Sequence, residues 1–111
     1  MTVSELAGPV TAVSLAGRLD APGADAIAVR FTAAVASAGR DAIVDLSQVS
    51  FIASMGIRLL ISTARALGLK GRKLVLHGAN PMVQGVFDDA ALDQIIPSVR
   101  TADEALARLA C

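Results

Sequence analysis

Two short apolar runs, Ala42-Ile-Val-Asp-Leu46 and Lys73-Leu-Val-Leu-His77, constrain this chain more than any other feature of it. Neither is long enough for a helix, and both read as strands buried in a sheet. Between them a helical pattern covers 54–67 and stops at Gly68 and Gly71. Strand, helix, strand in that order calls for a crossover, and hence a parallel pair with helices over the sheet.

The alternation extends in both directions. Residues 2–19 read as two short strands, with β-favouring Val10, Val13 and Leu15 and a turn at Gly8-Pro9. Gly17-Arg18-Leu19-Asp20 ends the second. Residues 22–38 read as a helix: Pro22 suits its first turn, Ile27, Phe31, Ala34 and Val35 share one face, and Gly39 stops it. After Gly78-Ala-Asn80, Pro81 opens a helix to about Ala90 with an apolar stripe of Met82, Val83, Val86 and Phe87. Ile95-Ile96 suggests a short last strand. Thr101-x-x-Glu104 is a capping box, and Ala105, Leu106 and Leu109 build a final amphipathic helix. The order β-β-α-β-α-β-α-β-α predicts an α/β fold over 1–111 as a single domain. Its sheet is mixed but mainly parallel, with four to five strands, an N-terminal β-hairpin and about four helices.

Composition narrows the function classes. At 111 residues the chain can bury a core without disulfides or a metal. Ten basic and ten acidic residues cancel, which argues against direct nucleic-acid binding. With three Phe, no Trp and no Tyr, there is no aromatic platform for stacking bases. Mean hydropathy is high, +0.61, and 22 alanines supply much of it. Charged residues interrupt every apolar stretch before a membrane span is reached, so no membrane insertion is expected. The first residues lack the basic region of a secretory signal, and the lone Cys111 has no intrachain partner. A cytoplasmic location is expected.

The segment from Ile43 to Arg65 carries the functional reading. A buried strand leaves the sheet through a loop and enters a helix whose N-cap is expected at Ser54. Met55, Ile57, Leu60, Ile61, Ala64 and Leu67 can face the sheet. Arg58, Ser62 and Arg65 then form one polar stripe, with Ser54 at its end. A helix N-terminus offers free N–H donors and partial positive charge, so a phosphate on Ser54 is favoured there. It also places up to two negative charges in any surface that uses this helix, which is a switch made by one covalent change.

In order along the chain, Gly17-x-Leu19-Asp20, Val44-Asp45-Leu46-Ser47, Val49-Ser50-Phe51-Ile52 and Ser54-Met55-Gly56 resemble a STAS domain of the bacterial anti-sigma factor antagonist type. Lys73-Leu-Val-Leu-His77 and the Val86-Phe87…Leu92 region also fit, and the resemblance covers about 3–109. It implies partner switching. In this family the small domain binds an anti-sigma factor that is also a serine kinase. The kinase uses ATP to phosphorylate a Ser or Thr at the start of the second helix, the modified form lets go, and a phosphatase restores binding. By position in the motif that residue is Ser54. The implied partner surface is Asp20, Ala53, Met55, Gly56, Arg58, Ser62 and Arg65. Two positions depart from the family pattern: the Asp that commonly precedes the serine is Ala53, and the Ser or Thr that often follows it is Met55.

Plainer roles stand beside these. Ser54 and Asp20 can be helix caps, Gly56 can relieve packing at the strand-helix corner, and Arg58 and Arg65 can be a solvated helix face. A rival from another class is a permanent STAS subunit of a membrane-associated complex, such as a lipid transporter. Catalysis is not expected. Ile52-Ala-Ser54-Met-Gly56 lacks the first Gly of a nucleophile elbow, and there is no phosphate-binding G-x-x-x-x-G-K-[ST] loop. His77 has no His or Cys at ligand spacing, so neither a metal nor another cofactor is expected.

Overall fold

The computed structural model describes residues 2–6, 10–37 and 39–110. The elements run β1 (Thr2–Leu6), β2 (Val10–Leu19), α1 (Ala21–Val35), β3 (Asp41–Ile52), α2 (Ser54–Leu69), β4 (Leu74–His77), α3 (Pro81–Asp89), a 3-10 turn (Leu92–Gln94), β5 (Ser98–Val99) and α4 (Ala102–Ala110). The sheet order is β1-β2-β3-β4-β5, with β1 antiparallel to β2 and the other pairs parallel. The fold is α/β with four parallel strands and four α-helices among the described residues, as expected.

The strands alternate their side chains between two helical layers. Val13, Leu15, Val44, Leu46, Leu74 and Leu76 face one way and pack with Phe31 and Val35 of α1, Leu60 and Leu67 of α2, and Val83 and Phe87 of α3. Ile43 and Val75 face the other way and meet Ala105, Leu106 and Leu109 of α4. Phe31 and Leu60 are fully buried, so the helical periodicity read from 22–38 and 54–67 does pick out the core face.

The structure corrects several expectations. The central strand is far longer than 42–46. It continues through exposed Ser47, Gln48 and Ser50 because β2 pairs alongside it, with register shifts at Ser14/Ala16 and Gly17/Arg18. The last strand is Ser98–Val99, not Ile95-Ile96. Ala91, in the left-handed region at φ 52°, begins the 3-10 turn, and Ile96 then drops fully buried into the core. Met55 and Met82 turn outward, 43% and 60% exposed, instead of facing the sheet. The first helix ends at Val35, and the Gly8-Pro9 turn and Cys111 lie outside the described residues.

Candidate functional site

Parallel strands deliver the starts of α1 and α2 to the same end of the sheet. Leu19 and Ile52 are register partners, so Asp20 and Ala53 leave the sheet side by side. The Ala53 N–H donates to the Leu19 carbonyl at 3.0 Å and ties the two loops together. Gly56, one turn into α2, presses on the same carbonyl. A Cβ there would lie 2.6 Å from the Leu19 oxygen and 2.9 Å from Ile52 Cγ1. Only glycine lets the helix come this close. Gly56 is buried and packs at the strand-helix corner, the plainer of the two roles open to it in the sequence.

Ser54 is not the N-cap. That position is Ala53, in extended backbone, and it makes no side-chain capping bond. Ser54 is the first residue of the helix and is exposed. The first turn closes by the Ile57 N–H donating to the Ala53 carbonyl at 3.1 Å, and it contains no acidic residue. The partial positive charge of this helix end therefore meets no carboxylate of its own first turn.

Asp20 behaves differently. It caps α1, accepting from the Gly23 N–H at 3.0 Å, while its other oxygen takes Arg18 Nε at 3.1 Å. The Gly23 hydrogen bond, then Arg18, holds its carboxyl below the usual aspartate range. Arg18 also lies over the Phe51 ring, 4.4 Å from its centre. Asp20 thus sits beside the start of α2 but is committed to its own helix.

Met55, Arg58 and Ser62 share an open groove of about 270 Å³ with Leu59 and with Ala24, Asp25 and Ala28 of α1. Arg58, Ser62 and Arg65 continue into a second hollow with Ile61, Ala66 and Leu69, and Leu69 is 91% exposed. The polar stripe expected from the sequence is therefore real and outward-facing. It is edged by apolar side chains, and the Ser62 hydroxyl already donates to the Leu59 carbonyl at 3.1 Å. The α1 wall was missed in the sequence reading. Its signal was the pair of small residues Ala24 and Ala28, spaced i and i+4.

Across the sheet, Asp45 and His77 are register partners on the α4 side. Burial pushes the Asp45 carboxyl up, but hydrogen bonds from the Ser47 N–H (2.8 Å) and hydroxyl, with the charge of His77, outweigh it and leave the carboxyl below its ordinary range. Among the described residues no group of three His, Cys, Asp or Glu is placed to hold a metal. No helix of the described residues is long and apolar enough to cross a membrane.

No curated protein matches the chain in sequence. Solved structures do. An anti-sigma factor antagonist from Mycobacterium paratuberculosis is 29% identical, with a TM-score of 0.81 over 99% of this chain and 94% of the other. An anti-sigma-factor antagonist (STAS) domain protein from Planctomyces limnophilus is 26% identical, with a TM-score of 0.86 over 99% and 97%. The anti-sigma factor antagonist SpoIIAA shares the fold in two forms. Its unphosphorylated form is 22% identical, with a TM-score of 0.76 over 96% and 93%. The phosphorylated form, from Bacillus, is 21% identical, with a TM-score of 0.69 over 96% of each chain. The STAS domain family model matches residues 3–105, nearly the whole length over which the strand and helix order was read, and the chain belongs to that family.

Proposed function

We propose that this chain is an anti-sigma factor antagonist that works by partner switching. Unmodified, it binds a serine-kinase anti-sigma factor through the start of α2 and the α1–α2 groove. Phosphorylated on Ser54, it lets that partner go, and a phosphatase resets it. The observation that carries the reading is Ser54 itself: an exposed hydroxyl on the first turn of a helix with no side-chain cap, beside a groove lined by Met55, Arg58 and Ser62. The likeness to two anti-sigma factor antagonists above one-quarter identity supports the partner class.

The electrostatics give both halves of the switch. A phosphoserine carries about −1.5 to −2 charges at pH 7. The helix end, worth roughly half a positive charge, stabilises it by about 0.3–1 kcal/mol at an exposed site. Ala53 adds no carboxylate to oppose it. The same phosphate stands at the mouth of the groove, where a partner fitted to a hydroxyl meets bulk and negative charge. Ala53, Met55, Arg58, Ser62 and Arg65 supply the contact surface, and Asp20 supports it from the neighbouring loop. The domain itself does no chemistry in this scheme and acts in the cytoplasm.

Mass spectrometry of the protein from its native cell, with Ser54→Ala as control, tests the modification. Capture with Ser54→Ala and Ser54→Asp then tests the switch. The expected partner is a serine kinase held by Ser54→Ala and held about tenfold or more weakly by Ser54→Asp. Equal capture of every partner by both variants overturns the proposal. Capture of a transporter ATPase by both favours the permanent-subunit reading.

A further inference from the structure

A second cleft lies at the other end of α2. It has a volume of about 450 Å³ and opens between the last turns of α2 (Ala64, Gly68), the start of β4 (Leu74, Val75), the segment before β5 (Ile95, Pro97) and Arg108 of α4. It exists because β5 is short. β5 pairs only with Leu76 and His77, so the first two residues of β4, paired with β3 on one edge, have no strand on the other. Leu74 and Val75 are buried, yet Ile95 at the rim is 46% exposed, a large apolar side chain left facing water. The volume is within the range of small-molecule sites, which pair an apolar lining with a few placed polar groups.

The polar groups here have one sign. Arg72, Lys73 and Arg108 line the cleft and no acidic residue does. The backbone N–H of Lys73 is tied to the Asp41 carboxylate at 2.9 Å, which fixes the entry to β4. Among the described residues neither the Arg72 nor the Arg108 guanidinium has an ion-pair partner. The carbonyl ends of α2 and α4 put roughly half a negative charge each nearby, which offsets only part of three cations. Guanidinium forks match carboxylate and phosphate oxygens in bidentate fashion.

We propose that this cleft binds an amphipathic organic anion, its carboxylate or phosphate head held by Arg72 and Arg108 and its short apolar body lying on Leu74, Ile95 and Pro97. The site is remote from Ser54 and does not depend on the partner-switching reading.

The test is a titration of the isotope-labelled full chain, followed by amide NMR shifts, with octanoate, octyl phosphate, octylammonium and inorganic phosphate as probes. Octanoate or octyl phosphate is expected to give saturable shifts at Gly68, Leu74, Val75 and Ile95. Preference for one or the other identifies the head group as carboxylate or phosphate. Octylammonium and inorganic phosphate should leave these amides nearly still. Arg72→Gln with Arg108→Gln should weaken binding about tenfold or more, and Ile95→Ser should weaken it without touching a charge. All three altered positions are exposed, and the spectrum itself reports whether each variant is folded. Three outcomes overturn the proposal: no saturable shift with either anion, shifts centred on the α1–α2 groove, or equal binding of octylammonium and of the double variant.

Discussion

The starts of α1 and α2 lie side by side and are held by opposite means. α1 begins under Asp20, which accepts the Gly23 N–H and grips Arg18. α2 begins under Ala53, which can accept nothing through its side chain, and relies on Gly56 packed against Leu19. The other two helices follow the first pattern. Asn80 accepts the Val83 N–H and donates to the Val49 carbonyl, and Thr101 accepts the Glu104 N–H. Among the α-helices of the described residues, the one that bears the candidate switch is the one whose first turn is left without a side-chain cap. A cap would occupy the donors and place a competing oxygen where a phosphate is proposed to sit. Close packing holds the helix without using them.

That contrast can be broken most severely at Gly56. Gly56→Ala drives a Cβ onto a backbone oxygen already engaged by Ala53, and the loss is expected to be about 3 kcal/mol, the upper end for overpacking. Urea denaturation measures it, and a loss below about 1 kcal/mol would mean that packing does not hold the start of α2. Asn80→Ala removes a cap and a second bond to the Val49 carbonyl, with an expected loss of about 2 kcal/mol. Ala53→Asp should do the reverse. Supplying the missing cap is expected to add about 1 kcal/mol and raise the melting temperature, while crowding the Ser54 site with charge. No gain would mean that the first-turn donors of α2 are not open to a cap.

The smallest effect is a pH dependence. The Asp20 carboxyl titrates below its unfolded value because the Gly23 N–H and Arg18 favour its charged form. Its contribution is fully present above the unfolded value, about pH 4, and fades as pH falls through the lower folded value. Asp20→Asn keeps a capping oxygen but cannot titrate. Its stability should therefore fall less steeply than that of the parent chain below about pH 4. Parallel acid-denaturation curves would show that the cap does not depend on charge.

Most of the architecture was legible because burial and periodicity coincide. Phe31, Val35, Leu60 and Leu67 were placed correctly by spacing alone, and all are fully buried. The failures share a cause. Met55 is apolar and Gly56 is featureless, so a hydrophobic pattern turns the methionine inward, yet a contact made by backbone leaves no trace in side-chain polarity. Ser54 was read as the cap because serine is a good one. The structure puts the cap one residue earlier, at Ala53, where the Leu19 carbonyl holds the N–H. Ser47, Gln48 and Ser50 looked like loop because their strand is stabilised by pairing with β2, which is a long-range property. Of the site, Arg58, Ser62 and Arg65 were visible as a stripe, whereas the α1 wall of Ala24 and Ala28 needed the third dimension.

Every strand of this sheet lies beside its neighbour in sequence. No pairing has to wait for a distant segment to return, so each loop closed on folding is near the shortest a parallel crossover allows. A nascent chain can lay its strands down in the order in which they leave the ribosome, with α1, α2 and α3 sealing the same face as they form. The opposite face is another matter. Ile43 and Val75 stay wet until α4, the last described element, arrives to cover them. A chain stalled or clipped before Ala102 would carry a finished sheet with one oily side open, the form from which aggregation would start.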